Sequence, residues 1–344
     1  MLTKLLSFFR NDDKLLLHTL LYTTTITVGA LVISRFIKSR AWSKLKASPY
    51  YKPMDGKVCI VTGANCGIGY ETVKELAKLK ATVVMGCRNM QRGREALDKL
   101  NMEVKDGQVV LLELDLASFE SIRNFAKTVL KQYPAIHVLI NNAGVSIPVK
   151  QNVKTTEGYE VHFGVNHIGH FLLTNLLIER IQKSSNDTQS TKVVIVGSTL
   201  MERGVLDFDN LNGEKGFIQT GRSNPAYCNS KLMNFYFGVE LYLKYADKGV
   251  DVSVVCPGWC YTNLFRYADI KLWQKFLFFP IAMMYMRTAN QGAQSVVHTA
   301  ITPNQDKHFP PIFRDFGPYT PKHKYDDEVA KKLWDVSAKL TSMK

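Results

Sequence analysis

Six short apolar runs, each followed by a longer amphipathic stretch, recur along the chain. The runs are rich in Val, Ile and Leu and lie at residues 57–62, 82–87, 109–113, 136–141, 192–196 and 250–255. Near-continuous apolar strands separated by helices are typical of a parallel sheet that helices cover on both faces. The alternation therefore predicts an α/β fold with a doubly wound parallel sheet.

The alternation fills residues 56–344, a normal length for one domain of this class, and no linker or internal repeat interrupts it. The composition of the 344-residue chain, with 46% hydrophobic and 22% charged residues, is that of a globular protein. We therefore expect one α/β domain over 56–344, and the composition excludes a disordered or low-complexity chain.

Positive charge is concentrated at the beginning of the chain. The net charge is +14, and residues 1–57 hold ten Lys or Arg against three Asp. Half of the net charge thus lies beside an apolar stretch. Such a distribution favours a membrane over a nucleic acid as the partner.

Residues 15–37 form an apolar stretch of 23 residues with one His inside it and one Arg near its end. As a helix this stretch would span roughly 34 Å, enough to cross a hydrocarbon core of about 30 Å. It lacks the small-residue cleavage site of a signal peptide. We expect a membrane anchor over 15–37, between a tail (1–14) and a basic juxtamembrane linker (38–55). A buried amphipathic helix is the alternative.

Basic residues on the two sides of this stretch predict its orientation. Five follow it and three precede it, and basic residues favour the cytosolic side of a membrane. The domain is therefore expected to face the cytosol from the endoplasmic reticulum membrane. A mitochondrial membrane is the alternative, because residues 1–10 are apolar and basic without an acid.

The sequence lacks the usual metal-ligating patterns. Its six cysteines form no Cys-x-x-Cys pair and are too few for a disulfide framework, and no His-Glu-x-x-His motif occurs. His167 and His170 are one helical turn apart, but two imidazoles alone make a poor metal site. No metal is expected.

A late segment interrupts the regular alternation. Residues 258–287 follow the sixth run, and their apolar block 276–286 is broken by Pro280 and is too short to span a bilayer. This block is compatible with a buried helix, with a lid over an apolar substrate, or with a segment that lies in the lipid interface.

A glycine-rich turn follows the first run. Thr62 leads into Gly63-Ala-Asn-Cys-Gly67-Ile-Gly69, and the amphipathic stretch 70–80 comes next. Glycines between a strand and a helix let the backbone approach a pyrophosphate, which the helix N-terminus stabilises. The turn therefore predicts a dinucleotide site in a Rossmann fold.

The Gly-x3-Gly-x-Gly spacing and an ordered series of further motifs resemble the short-chain dehydrogenase/reductase family, from about residue 57 to the end of the chain. The matching motifs are Asp115-Leu116, Asn141-Asn142-Ala143-Gly144, Asn166, Ser198, Tyr227 with Lys231, and Pro257-Gly258 with Thr262. The resemblance implies cofactor contacts at Gly63, Asn65, Cys66, Gly67, Ile68, Gly69, Arg88, Asp115, Leu116, Asn142, Ala143, Gly144, Tyr227, Lys231, Pro257, Gly258 and Thr262.

The same resemblance identifies Asn166, Ser198, Tyr227 and Lys231 as a catalytic tetrad. Tyr227 and Lys231 are four residues apart after Pro225, a spacing that puts both on one face of a helix. We expect Tyr227 to donate the proton in carbonyl reduction, with its pKa lowered by the Lys231 ammonium and the oxidised nicotinamide. Ser198 would hold the substrate oxygen, Lys231 the nicotinamide ribose, and Asn166 a water that links Lys231 to solvent.

The end of the second run indicates which nicotinamide is used. An enzyme that uses NAD usually has an acid there, whereas this chain reads Gly86-Cys87-Arg88-Asn89. The Arg88 guanidinium can form forked contacts with a 2′-phosphate. The sequence therefore predicts NADP(H).

Several stretches are most similar to the membrane-anchored retinol dehydrogenases of this family. They are residues 115–118, 164–174, 292–294 and 333–337, and the predicted anchor is consistent with that branch. The resemblance implies NADP(H)-dependent reduction of retinal or the reverse oxidation. A steroid, polyprenal or lipid-aldehyde reductase and a catalytically silent membrane-bound binding protein remain alternatives, and a homo-oligomer stays open.

Overall fold

The computed structural model describes residues 18–19, 21–26, 29–30, 33, 48–186, 190–261, 285–303 and 309–343. The chain divides into two compact units, and the fold presented below belongs to the unit of residues 45–269 and 287–344. Most of the predicted anchor (15–37), and residues 262–284 of the expected lid, lie outside the described residues. Among the residues described, no helix has both the length and the hydropathy to cross a bilayer.

Eight strands in the described part of the chain form one sheet. They are β1 (Val58–Thr62), β2 (Thr82–Cys87), β3 (Gln108–Glu113), β4 (Val138–Asn141), β5 (Thr191–Val196), β6 (Val250–Cys256), β7 (Ile312–Arg314) and β8 (Gly317–Pro318). Their order is β3-β2-β1-β4-β5-β6-β7-β8, and every neighbouring pair is parallel except β7 and β8. The chain winds outward from β1 in both directions, so the predicted doubly wound parallel sheet is confirmed.

Helices of the same unit cover this sheet. They are α1 (Gly67–Lys78), α2 (Met90–Glu103), α3 (Phe119–Gln132), α4 (Gly169–Lys183), α5 (Pro225–Tyr245), α6 (Ala289–Ile301) and α7 (Asp327–Leu340). A π-helical segment, His162–Ile168, leads into α4. The described residues of this unit also form 3₁₀ turns at Val149–Gln151, Thr199–Arg203 and Ala246–Lys248.

The sheet divides the apolar core into two clusters. Side chains of α1, α2 and α6 pack in one cluster, and those of α3, α4, α5 and α7 pack in the other. Along β1, Cys59 and Val61 belong to the first cluster and Ile60 to the second, because successive strand side chains point to opposite faces. Burial on both faces explains why the strands read as continuous apolar runs.

The apolar runs predict β1 to β6 within two residues at each end. They do not predict β7 and β8, because strands of three and two residues are too short to form a run. The carboxyl ends of β1, β4, β5 and β6 lie next to one another at one edge of the sheet, and this edge positions the site described next.

Candidate active site

The carboxyl ends of β1 and β4 meet closely at the turn after β1. Gly63 has a φ of +64°, and a Cβ at this position would lie 2.8 Å from the Ala143 Cα. Backbone conformation and lack of space therefore both exclude a side chain at Gly63. The other residues of the predicted turn run from the end of β1 into the start of α1, namely Asn65, Cys66, Gly67, Ile68 and Gly69.

Hydrogen bonds hold these two strand ends together. The Thr62 hydroxyl accepts the backbone N–H groups of Asn142 and Ala143, each at 2.9 Å. The Asn142 side chain in turn donates from its Nδ2 to the Thr62 carbonyl at 2.8 Å. Thr62 thus fixes two residues that the resemblance assigns to cofactor contact, although no motif in the sequence predicts a role for Thr62 itself.

The first turn of α1 has backbone donors suited to an anion. Cys66, the residue before it, makes no side-chain hydrogen bond to that turn. The N–H groups at the start of a helix favour a phosphate, so the residues present fit a pyrophosphate. At the neighbouring strand ends, Arg88 is exposed directly after β2, and Asp115 with the buried Leu116 follows β3.

Helix α5 carries two of the predicted catalytic residues. It begins at Pro225, and the side chain of Asn224 accepts the Tyr227 N–H at 3.3 Å as an N-cap. Tyr227 and Lys231 are both buried, and the Lys231 Nζ lies 5.7 Å from the centre of the Tyr227 ring. One helical turn therefore brings the phenol and the ammonium together.

The pKa of Tyr227 is set mainly by burial. Burial of the phenol raises this pKa, and a hydrogen bond with Ser198, which follows β5, lowers it by less. The net direction is upward, and the Lys231 ammonium is not among the causes. The expected lowering by the oxidised nicotinamide stays a prediction. A phenol that stays protonated at neutral pH suits a proton donor.

Lys231 is held by a strand end. Its Nζ donates to the Val196 carbonyl at the end of β5, at 2.8 Å. Burial lowers the pKa of Lys231 to about 8, and the Cys256 thiol acts in the opposite direction. The side chain therefore remains largely an ammonium at neutral pH, beside the Tyr227 phenol.

Asn166 lies in the π-helical segment before α4. Its Oδ1 accepts the Val145 N–H at 2.8 Å, and its Nδ2 donates to the Val145 carbonyl at 3.1 Å and to the Ser230 Oγ at 3.0 Å. A Cβ on Gly144 would lie 3.5 Å from the Asn166 Oδ1 and 3.8 Å from the Lys231 Nζ. Asn166 thus ties the chain after β4 to α5, close to Lys231.

His162 is a contact of the site that the sequence pattern does not predict. Its buried ring meets the Tyr227 ring edge-on, with centroids 6.3 Å apart. Its Nε2 accepts the Ile147 N–H at 3.0 Å, and the Asn224 amide donates to the Ile147 carbonyl at 2.7 Å. The Ile147 backbone therefore links this ring with the N-cap of α5. An Asn before a Pro is a sequence signal for such a cap, but no signal marks His162.

Arg287 is a second missed residue. Its Nη1 donates to the Pro257 carbonyl, 30 residues away in sequence, at 2.8 Å, and lies 2.5 Å from Asp315 Oδ1. Gly258 has a φ of +81°, and a Cβ there would lie 2.4 Å from the same nitrogen. Arg287 therefore holds the Pro257-Gly258 turn after β6. Thr262, predicted to follow this turn in the cofactor site, lies outside the described residues.

Comparison with known proteins assigns the class. Residues 57–272 match the short chain dehydrogenase family. The chain belongs to this family and is an oxidoreductase that acts on alcohols or carbonyl compounds.

Individual relatives indicate a narrower group within this family. Retinol dehydrogenase 14 of Mus musculus is 39% identical over 299 residues, which cover 83% of this chain and 85% of that protein. Retinol dehydrogenase 11 of Homo sapiens is 38% identical over 291 residues, 84% of this chain and 87% of that protein. An uncharacterised protein from Mycobacterium paratuberculosis has a solved structure that covers 85% of this chain and 96% of its own, with a TM-score of 0.63 and 29% identity. The resemblance to retinol dehydrogenases is thus confirmed.

The pKa of Lys231 predicts an alkaline limit for carbonyl reduction. Because this pKa is about 8, the ammonium is present below that pH and is lost as the pH rises through it. The Tyr227 phenol does not ionise over the same range, because its pKa is raised. At saturating cofactor and aldehyde, we expect kcat to be level up to about pH 7 and to fall above about pH 8.

The variant Lys231→Arg tests the origin of this limit. A guanidinium stays protonated throughout this pH range. The kcat that remains in the variant should therefore no longer fall above about pH 8. The same fall in the Arg variant would assign the limit to another group.

Proposed function

We propose that this protein uses NADPH to reduce a long apolar aldehyde, with retinal as the favoured substrate, and that it can run the reverse oxidation. The supporting observation is the cluster at the carboxyl edge of the sheet, where the Tyr227 phenol bonds Ser198 and lies beside the Lys231 ammonium. The turn after β1, which fits a pyrophosphate, lies at the same edge.

The turn after β1, with the start of α1, would hold the pyrophosphate of NADPH, and the cofactor would supply the hydride for the carbonyl carbon. The Ser198 hydroxyl, which bonds the Tyr227 phenol, holds the carbonyl oxygen next to it. Tyr227 donates its proton to that oxygen, and the raised pKa keeps this proton in place beforehand. The Lys231 ammonium stabilises the phenolate that remains, and Asn166 positions the water through which Lys231 exchanges protons with solvent.

Two features support a long apolar aldehyde as the substrate. The relatives reported above are named retinol dehydrogenases. The segment 276–286 is apolar in sequence and follows the Pro257-Gly258 turn. A steroid, a polyprenal or a lipid aldehyde offers the same carbonyl chemistry on another apolar body.

A substrate panel tests this choice. Membranes that contain the full-length protein are given NADPH with retinal, a steroid ketone, a polyprenal or a lipid-peroxidation aldehyde. We expect the highest kcat/KM for retinal. A preference of about tenfold or more for another member of the panel would reject the retinoid assignment.

Tyr227→Phe should lower kcat by at least about two orders of magnitude, because the ring remains while the proton donor is lost. The Kd for NADPH, measured by cofactor fluorescence, should stay unchanged. Tyr236→Phe is the control, since it removes a hydroxyl from another buried tyrosine of the same helix, where that hydroxyl bonds His323 at 3.1 Å. Near-normal kcat in Tyr227→Phe would contradict its role.

Arg88→Ala should raise the KM for NADPH by about tenfold or more and leave the KM for NADH unchanged, because only NADPH offers the 2′-phosphate. Arg94→Ala is the control, since it removes an exposed guanidinium from the adjacent helix α2. Equal use of NADH and NADPH by the unmutated protein would reject the proposed role of Arg88.

We also propose that residues 15–37 anchor the protein in the endoplasmic reticulum membrane with the domain in the cytosol. The five basic residues that follow the apolar stretch support this orientation. The chain contains one Asn-x-Ser/Thr sequon, Asn186-Asp187-Thr188, and Asn186 is exposed. A domain in the lumen would therefore carry an acceptor for N-glycan, and a cytosolic domain would not receive one.

The topology predicts no glycan on the protein in cells with intact glycosylation. Endoglycosidase should leave its mobility unchanged, and protease added to sealed microsomes should degrade the domain. A mobility shift that disappears in Asn186→Gln, together with protection from protease, would put the domain in the lumen. Co-fractionation with mitochondria would support the alternative membrane.

A further inference from the structure

His170, on α4, lies between the strand end at Thr62 and the tetrad residue Asn166. It is buried, its Nε2 lies 2.9 Å from the Thr62 hydroxyl oxygen, and its Nδ1 lies 3.1 Å from the Asn166 carbonyl oxygen. Thr62 belongs to the strand ends next to the cofactor turn, and Asn166 belongs to the tetrad. The proposed mechanism assigns His170 no part.

The hydrogen bonds of the Thr62 hydroxyl determine the protonation state of the His170 imidazole. The Thr62 hydroxyl already accepts two backbone N–H groups, so it must donate its own proton. His170 Nε2 is its nearest acceptor, since the Ile140 carbonyl is 3.5 Å away. Nε2 is therefore unprotonated, and Nδ1 carries the proton that the Asn166 carbonyl accepts.

The surroundings favour this neutral form. Burial lowers the pKa of His170 to about 4, the bond to the Asn166 carbonyl raises it, and the nearby Lys231 charge lowers it further. An imidazolium would also direct a second N–H at the Thr62 hydroxyl, whose lone pairs are already occupied.

We infer that His170 is a positioning residue that couples the NADPH-binding strand ends to the proton relay at Asn166. Through Thr62 it orients the backbone of Asn142 and Ala143, and through the Asn166 carbonyl it holds the π-helical segment. The inference rests on the proposed function for the identity of the cofactor and the relay.

Two substitutions of His170 separate its contact with Thr62 from its contact with the Asn166 carbonyl. His170→Phe removes both contacts. His170→Asn keeps the bond to the Asn166 carbonyl, because Asn175 on the same helix already donates from its Nδ2 to the carbonyl four residues before it, at 2.8 Å. The shorter amide leaves the Thr62 hydroxyl without its acceptor.

His167 provides the matched control. It is equally buried, one turn before His170, but its Nε2 bonds the Ser337 hydroxyl of α7 at 2.9 Å. His167→Phe therefore removes a buried imidazole from the same part of the chain without touching Thr62 or the Asn166 carbonyl.

The test uses the full chain in detergent micelles, with NADPH fluorescence for Kd and retinal reduction for kcat. We expect His170→Phe to raise Kd about fivefold and to lower kcat about tenfold relative to His167→Phe. His170→Asn should show the raised Kd but recover most of kcat. Equal values in His170→Phe and His167→Phe would overturn the inference.

A measurement without cofactor separates this inference from the proposed function. If Thr62 and His170 are coupled, Thr62→Val and His170→Phe together should lower Tm by less than the sum of the single shifts. Additive shifts would reject the link. Absence of NADPH binding and aldehyde reduction in the unmutated protein would reject the proposed function. The Tm values of the single and double variants would still test whether Thr62 and His170 are coupled.

Discussion

Buried backbone groups at the ends of parallel strands need partners, and the candidate site is built from the side chains that supply them. Four strand-end or turn positions are bonded in this way: the Thr62 carbonyl by Asn142, the Val145 backbone by Asn166, the Val196 carbonyl by Lys231 and the Pro257 carbonyl by Arg287. These side chains therefore stabilise the sheet edge as well as shaping the site. A substitution among them changes the free energy of unfolding together with any effect on turnover.

Local patterns account for what could be predicted from the sequence. Strands buried on both faces must be apolar along their whole length, so β1 to β6 are visible as runs. Tyr227 and Lys231 are four residues apart on one helix, and their proximity follows from the helical period. Contacts across long stretches of sequence leave no such pattern. Arg287 and Pro257 are the example, because no periodicity joins positions 30 residues apart.

Burial determines two properties of the site that the sequence does not give. His167 and His170 are one helical turn apart in sequence, and the structure shows that their buried imidazoles bond Ser337 and Thr62 respectively. The pKa of Tyr227 is raised, because the cost of burying a phenolate exceeds the effect of the Ser198 bond. Sequence identifies which groups are near one another, whereas the balance between desolvation and charge depends on the packed site.

The π-helical segment His162–Ile168 gives this stretch of chain one place where its length can change. A π-helical turn contains one residue more than an α-helical turn. Loss of one residue within the segment would let the helix regularise and would keep the later positions in place. Loss of one residue between the segment and Phe171 would instead rotate Phe171 by about 100° about the helix axis. Its ring would then leave Phe237 and Trp334, which it contacts with centroids 5.4 and 5.0 Å away.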